Sequence, residues 1–499
     1  MGILAKNIMI QGTASSAGKS IITAALCRIL KREGYKVAPF KSQNMALNSF
    51  VTKDGKEMGR AQVVQAEAAM VDPMVEMNPI LLKPTSDVGS QVILNGEVYK
   101  NMSAEEYHKA KPRFKNRVKE AYDKLNSQFD VIIIEGAGSP AEINLRENDL
   151  VNMGLAKLVD SPVILVGDID RGGVFASIYG TIELLEPEER ERIKGFIINK
   201  FRGDVEILKP GIKMLEEKVN KQCLGVIPFM DINIDDEDSV TDRFRNKISG
   251  DITIAVIKLP YISNFTDFTP LEIESGVKVK YVSSKEQLKN ADLIIIPGSK
   301  NTIMDMKFIY DSGIDKEIYK KHRDGVPIIG ICGGYQILGK EIVDPYSVES
   351  PINRINGLSL LNTKTVMAKE KRTKQVKGKF KIIPRVCSNM KEEVITGYEI
   401  HMGETEIFEG NKSLIELENG RLDGAINSKG NVFGTYLHGI FENDSFRNSI
   451  INTLRAKKGI EIKESNLSYR ELKEKEYEKL ARIVKENIDI NKIKKIMGL

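Results

Sequence analysis

Two stretches in opposite halves of this chain carry residues whose types and spacing can do chemistry. The first is Gly12-Thr13-Ala14-Ser15-Ser16-Ala17-Gly18-Lys19-Ser20. Small residues let successive backbone N–H groups curl around phosphate oxygens, and a helix opening after Gly18 adds its partial positive charge. Gly12, Thr13 and Gly18 would frame the loop, Lys19 would reach the terminal phosphates, and the Ser20 hydroxyl can ligate Mg²⁺. The strict pattern has four residues between its glycines; Gly12 and Gly18 here enclose five. A metal also needs a carboxylate, and Glu135, ending the apolar run Val131 to Ile134, can face the loop from a neighbouring parallel strand. Asp168 and Asp170 follow the run Val163 to Val166 in the same way, with ordering of the Arg171-Gly172-Gly173 turn as their other role.

The second stretch is Gly330-Ile331-Cys332-Gly333-Gly334-Tyr335-Gln336, a G-x-C-x-G turn between an apolar strand and a helix. This is the thiol counterpart of the serine nucleophile elbow, in which glycines relieve crowding around a lifted nucleophile. A helix N-terminus favours the thiolate, and the Gly333 N–H can hold an oxyanion. Upstream, Pro297-Gly298-Ser299-Lys300 ends another apolar run in a turn that places Gly298 to give a second N–H. A cysteine nucleophile wants a histidine base, and the chain has four histidines. His438 follows the run Val432 to Leu437 and precedes Gly439, so it is the choice. His401, in Gly397 to Gly403, is read as a substrate-side or structural residue. His108 and His322 fall in polar helical stretches and read as surface residues.

These groups need strands to hold them. Runs of four to six apolar residues without alternation recur at Asn7–Ile10, Val131–Ile134, Val163–Val166, Gly195–Ile198 and Cys223–Ile227. A second set lies at Ile252–Ile257, Leu293–Ile296, Ile328–Ile331 and Val432–Tyr436. Such runs are strands covered on both faces, which means parallel sheet. Ser20–Leu30, Ser103–Asn126 and Thr302–Asp324 are amphipathic enough for crossover helices. The expectation is an α/β chain of two doubly wound, mainly parallel-sheet domains. They would span residues 1–230, binding ATP, and 251–445, carrying the thiol. The polar stretch 231–250, with Asp235, Asp236, Glu237 and Asp238, reads as a solvated linker. Lysine-rich Ala368–Lys379 reads as an exposed loop. Residues 446–499 form a helical extension, with Tyr469, Leu472, Tyr477, Leu480 and Ile483 on a helical period.

Composition bounds the rest. The 499 residues, 41% hydrophobic, suffice for several packed cores and exclude a disordered chain. With 74 basic against 69 acidic residues, the net charge of +5 offers no bulk case for nucleic acid or anionic membranes. No apolar stretch reaches the roughly 20 residues that span a bilayer. Cys27, Cys223, Cys332 and Cys387 are scattered, without a disulfide or zinc pattern. A soluble, cytoplasmic protein is expected, with self-association left open.

The longer phosphate loop resembles the dethiobiotin-synthetase-like branch of P-loop proteins, and Ala14 stands where partition ATPases carry an extra lysine. Over residues up to about 450 the chain resembles the cobyric acid synthases. The blocks that carry this are Pro39 to Ser49, Gly59-Arg60-Ala61-Gln62 to Ala69, Asn78 to Asp87, Glu135 to Leu145 and Asp168 to Phe175. The second half resembles class I glutamine amidotransferase domains through the Cys332 turn and Gly434-Thr435-Tyr436-Leu437-His438-Gly439. Most such domains place a glutamate two residues after the histidine; Ile440 stands there, and Glu442 is the nearest substitute. The resemblance implies that Cys332 and His438 release ammonia from glutamine while Gly298 and Gly333 hold the oxyanion. Mg·ATP would phosphorylate a carboxylate for ammonia to displace. The substrate would be adenosylcobyrinic acid a,c-diamide, amidated at its b, d, e and g carboxylates, with Lys41, Gln43, Asn44, Lys83, Ser86 and Asp87 as corrinoid or nucleotide contacts. Cobyrinic acid a,c-diamide synthase is the near alternative, and a P-loop switch with a non-catalytic amidotransferase-like domain the distant one.

Overall fold

A computed structural model describes residues 4–86, 89–235, 250–391, 393–462 and 468–499. Apolar runs without alternation must be covered on both sides, and they build two sheets. The first has the strand order Gln222–Pro228, Ile193–Phe201, Val163–Asp168, Lys6–Gly12, Val131–Glu135 and Val37–Phe40, all parallel. Its phosphate loop and Glu135 therefore leave adjacent strands at the same edge of the sheet, with Ile10 in register with Glu135.

In the second sheet, Val277–Val282, Ile252–Ile257, Leu293–Ile296, Ile328–Ile331 and Val432–Thr435 run parallel. The sheet then continues through the antiparallel strands Leu422–Asn427, Asn411–Leu417 and Thr363–Phe380. The α/β class and the doubly wound parallel centres agree with the expectation, and the antiparallel extension adds to it.

Three expectations change. Ala368–Lys379 is not an exposed loop but part of the 18-residue strand Thr363–Phe380, which pairs with Ile395–Ile407 and lays Thr373 and Gln375 on the first lobe. Thr373 Oγ1 donates to Gly55 O at 2.8 Å, and Gln375 Nε2 to Val51 O at 2.8 Å. Its lobe-facing residues are polar because they meet backbone carbonyls, so no apolar alternation marked the strand. Thr302–Asp324 is two helices, Thr302–Asp311 and Ile314–Arg323, because Gly313 adopts φ 66° between them. Asp235 is not solvated. Its side chain is 1% exposed, takes Arg60 at 2.8 Å, and accepts from Thr269 at 2.8 Å. The remainder of the acidic stretch lies outside the described residues.

The helices Tyr469–Asn487 and Ile490–Met497 return to the first lobe. Tyr477, Leu480, Val484, Ile488 and Ile493 share a core with Ile22, Leu26 and Ile29 of the helix that follows the phosphate loop.

Candidate active site

In the first lobe, Gly18 begins the helix Lys19–Arg32 with φ 102°. A Cβ there would stand 2.0 Å from Asn199 Nδ2, so only glycine fits where the strand Ile193–Phe201, next but one in the sheet, braces the loop. That brace is Asn199 Nδ2 donating to Ala17 O at 2.9 Å and Lys200 Nζ to Ser16 O at 2.7 Å. Thr13 N is tied to Val166 O at 2.9 Å. Lys19 folds back along the loop, donating to Ala14 O at 3.0 Å and Gly138 O at 3.1 Å, and Gly12 lies against its ammonium. Ser20 Oγ donates to Glu135 Oε1 at 2.7 Å, so the predicted metal hydroxyl and carboxylate meet. Lys41 Nζ reaches the same oxygen at 3.0 Å and Gln65 holds the other.

A hydroxyl and one carboxylate are hard oxygen donors of the kind Mg²⁺ takes alongside waters and phosphate oxygens. The donor set fits that ion, and no cluster of three or more His, Cys, Asp or Glu suited to a metal occurs among the described residues. Asp168 and Asp170 are engaged by Lys200 at 2.8 Å and Arg202 at 2.9 Å.

In the second lobe, Cys332 has φ 52° and ψ −107°, a strained backbone for a non-glycine residue. The turn is possible because Gly334 lets the chain pass under Ile296, whose carbonyl would lie 1.9 Å from a Cβ. Gly333 heads the helix Gly333–Leu338, where first-turn N–H groups lack helical partners. Gly298 abuts both the His438 ring and Ser263, and Gly333 abuts Ser299, so both expected oxyanion glycines border the thiol site.

His438 is 1% exposed, and its Nδ1 pairs with Asp267 Oδ2 at 2.7 Å. The other oxygen of Asp267 accepts from Gly439 N at 2.9 Å. Burial lowers the imidazole, but the Asp267 carboxylate and the Cys332 thiolate outweigh it and raise His438 to about 10. Asp267 thus takes the position left open at Ile440. Glu442, the suggested substitute, contacts Arg60 at 3.4 Å instead. The motif is not local, since Asp267 precedes His438 by 171 residues; an acidic residue set between Phe265 and Phe268 was its only trace.

His401 stacks on Tyr436 with centroids 3.8 Å apart, donates from Nδ1 to Gly403 O at 2.8 Å, and lines the cavity beside Cys332. His108 and His322 sit on helices Ala104–Asn126 and Ile314–Arg323, half-buried.

The cavity at Cys332 is lined by Ser263, Ser299, Lys300, Gln336, Glu349 and, from the first lobe, Lys83. Lys83 therefore faces the thiol site rather than the nucleotide, bonded to Ser49 Oγ at 2.9 Å and Glu57 Oε1 at 2.8 Å. Of the other expected contacts, Lys41 stands at Glu135, Gln43 accepts from Tyr107 at 2.7 Å, and Asn44 is turned inward onto Gln62 at 3.1 Å. Ser86 ends the strand Ile80–Ser86, and Asp87 lies outside the described residues.

The lobes meet close to His438. Asn264 exchanges hydrogen bonds with the Ser49 backbone at 3.2 and 3.1 Å, and Tyr398, stacked on His438, donates to Ser49 O at 3.1 Å. A phosphate-loop lobe bonded to a cysteine amidotransferase lobe defines a class, the glutamine-dependent amidating ligases. Residues 8–239 match the CobQ/CobB/MinD/ParA nucleotide binding domain, and residues 253–446 the CobB/CobQ-like glutamine amidotransferase domain. The chain is 56% identical to a cobyric acid synthase of Caldanaerobacter subterraneus over 99% of both chains. It is 55% identical to those of a Thermoanaerobacter species and of Clostridium botulinum, again over 99% of each chain. The chain belongs to the cobyric acid synthase family.

Proposed function

We propose that this protein converts adenosylcobyrinic acid a,c-diamide to adenosylcobyric acid in cobalamin biosynthesis, amidating the b, d, e and g carboxylates with glutamine and ATP. The observation that carries the mechanism is the buried Cys332–His438–Asp267 arrangement, whose cavity is walled in part by the ATP-binding lobe.

The Cys332 thiolate attacks the side-chain carbonyl of glutamine, and the Gly298 and Gly333 N–H groups steady the oxyanion. His438, held protonated by Asp267, gives its proton to the departing ammonia. It then takes one from the water that cleaves the thioester to glutamate. In the first lobe, the backbone of Gly12 to Gly18 cradles the phosphates while Lys19 leaves its carbonyl contacts to meet the terminal one. Mg²⁺, when held by Ser20 and Glu135, would neutralise charge on the phosphates. A corrinoid carboxylate oxygen takes the terminal phosphoryl group from ATP, and ammonia displaces phosphate from the acyl phosphate. A free carboxylate does not react with ammonia, so this expenditure of ATP is what makes the amide accessible.

No helix among the described residues is long and apolar enough to cross a membrane. The four cysteines are free, as a reducing compartment keeps them, and this supports a cytoplasmic setting. Mass spectrometry of corrinoid after incubation with ATP and glutamine tests the reading: four carboxyl-to-amide conversions are expected. Cys332→Ala should abolish the glutamine-driven reaction and retain the ammonia-driven one. No conversion of the a,c-diamide by the intact enzyme, or glutamine use surviving in Cys332→Ala, would defeat it; amidation at a and c when cobyrinic acid is offered in place of the a,c-diamide would assign the sister activity.

A further inference from the structure

The cavity at Cys332 holds two charges that the transfer chemistry leaves unused. Lys300 follows the Gly298–Ser299 segment, is 8% exposed and lines the cavity. Among the described residues its ammonium has no carboxylate within 4 Å and no hydrogen-bonded partner. Glu349, also in the wall, accepts from Thr302 N and Thr302 Oγ1, both at 3.3 Å. Burial disfavours the charged form of both groups, and each is the strongest favourable charge acting on the other, across more than ion-pair distance. The two remaining lysines of the wall are committed: Lys83 and Lys371 both bond to Glu57. Lys300 is thus the one cavity cation, among the described lining residues, without an anion in contact.

A buried cation and a buried carboxylate, close but apart, are costly unless something of opposite polarity lies between them. A free α-amino acid carries such a pair on one carbon. We propose that Lys300 binds the α-carboxylate, and Glu349 the α-ammonium, of the amino acid whose side-chain amide meets Cys332. This rests on the glutaminase reading of Cys332. Lys300 is joined through Ser299 to Gly298, so head-group binding and the oxyanion contact share one short segment. The arrangement selects free glutamine over glutamine within a peptide, where the carboxylate and ammonium are both amides.

The test compares reagents that do and do not carry the head group. In Lys300→Met, the KM for glutamine should rise about 10- to 100-fold, the range for a lost hydrogen bond to a charged group. Labelling of Cys332 by the glutamine analogue 6-diazo-5-oxonorleucine should slow to match, while labelling by iodoacetamide keeps its rate. In Glu349→Gln, the preference for glutamine over 4-carbamoylbutanoate, which lacks the ammonium, should shrink at least tenfold. A KM within twofold of wild type overturns the proposal, as does equal slowing by both labels, which would mean that Lys300 only tunes the thiol. Ammonia-driven amidation, which bypasses the cavity, reports folding. If it is lost in Lys300→Met, the wild-type enzyme decides, and equal use of glutamine and its α-amide overturns the proposal. Failure of the diazo ketone to label wild-type Cys332 would instead refute the glutaminase reading.

Discussion

His438 is surrounded by protein, and burial alone would strip its proton. The Asp267 carboxylate reverses that and, with the Cys332 thiolate, raises the imidazole to about 10. Asp267→Asn leaves burial unopposed by that charge, so the imidazolium should be lost at much lower pH. The expected outcome is a drop of roughly 10²–10⁴ in glutamine-dependent kcat, as when a triad acid is removed. The alkaline limb of its pH profile should move down, while the ammonia-dependent profile stays in place. The stability sign follows from the same shift. A histidine raised from 6.5 to about 10 stabilises the fold fully below pH 6.5 and loses that contribution as pH climbs through 10. Urea titrations of wild type and Asp267→Asn should therefore converge toward pH 10. Cys332 and His438 were legible because each sits in a short glycine-flanked motif at a strand end. Asp267 was not, because its role depends on a contact across 171 residues.

At the scale of elements, the joint between the lobes is built by the strand Thr363–Phe380 and the pair Ser49–Val51 and Glu57–Gly59. Glu57 is buried between Lys83 of its own lobe and Lys371 of the other. Burial raises its carboxyl, but the two ammonium groups outweigh that and hold it down at about 2. Glu57→Gln would leave two buried lysines facing each other and should cost about 3–5 kcal/mol, the range for breaking a buried pair. Because the carboxyl is depressed, its stabilisation is present above about 4.5 and lost as pH falls through 2. Acid unfolding of Glu57→Gln should accordingly be flatter across that window, as circular dichroism would record. Parallel strands such as Val131–Glu135 were plain in the sequence because both faces are apolar. Within the strand Thr363–Phe380, the stretch Ala368–Lys379 reads as a loop in the sequence because the joint it enters is polar.

For the whole molecule, the last helices complete the ATP-binding lobe. Leu480 and Val484 fill a core shared with Ile22 and Leu26, so the end of the chain covers the helix that holds Lys19 and Ser20. Leu480→Ala should cost about 2–5 kcal/mol. A thermal melt would show the loss, and saturating Mg·ATP should recover part of it, since a ligand that binds only the folded lobe stabilises it by mass action. The sequence by itself determined the two chemistries and the parallel strands that present them. Phosphate cradling and thiol activation are built from contiguous residues, and a strand covered on both faces must be apolar throughout. Only the tertiary structure decided that Asp267 holds His438, that Lys83 walls the thiol cavity, and that the lobes join on Glu57. Those choices rest on polar groups made tolerable by partners far along the chain, and local pattern does not say which residues those partners are.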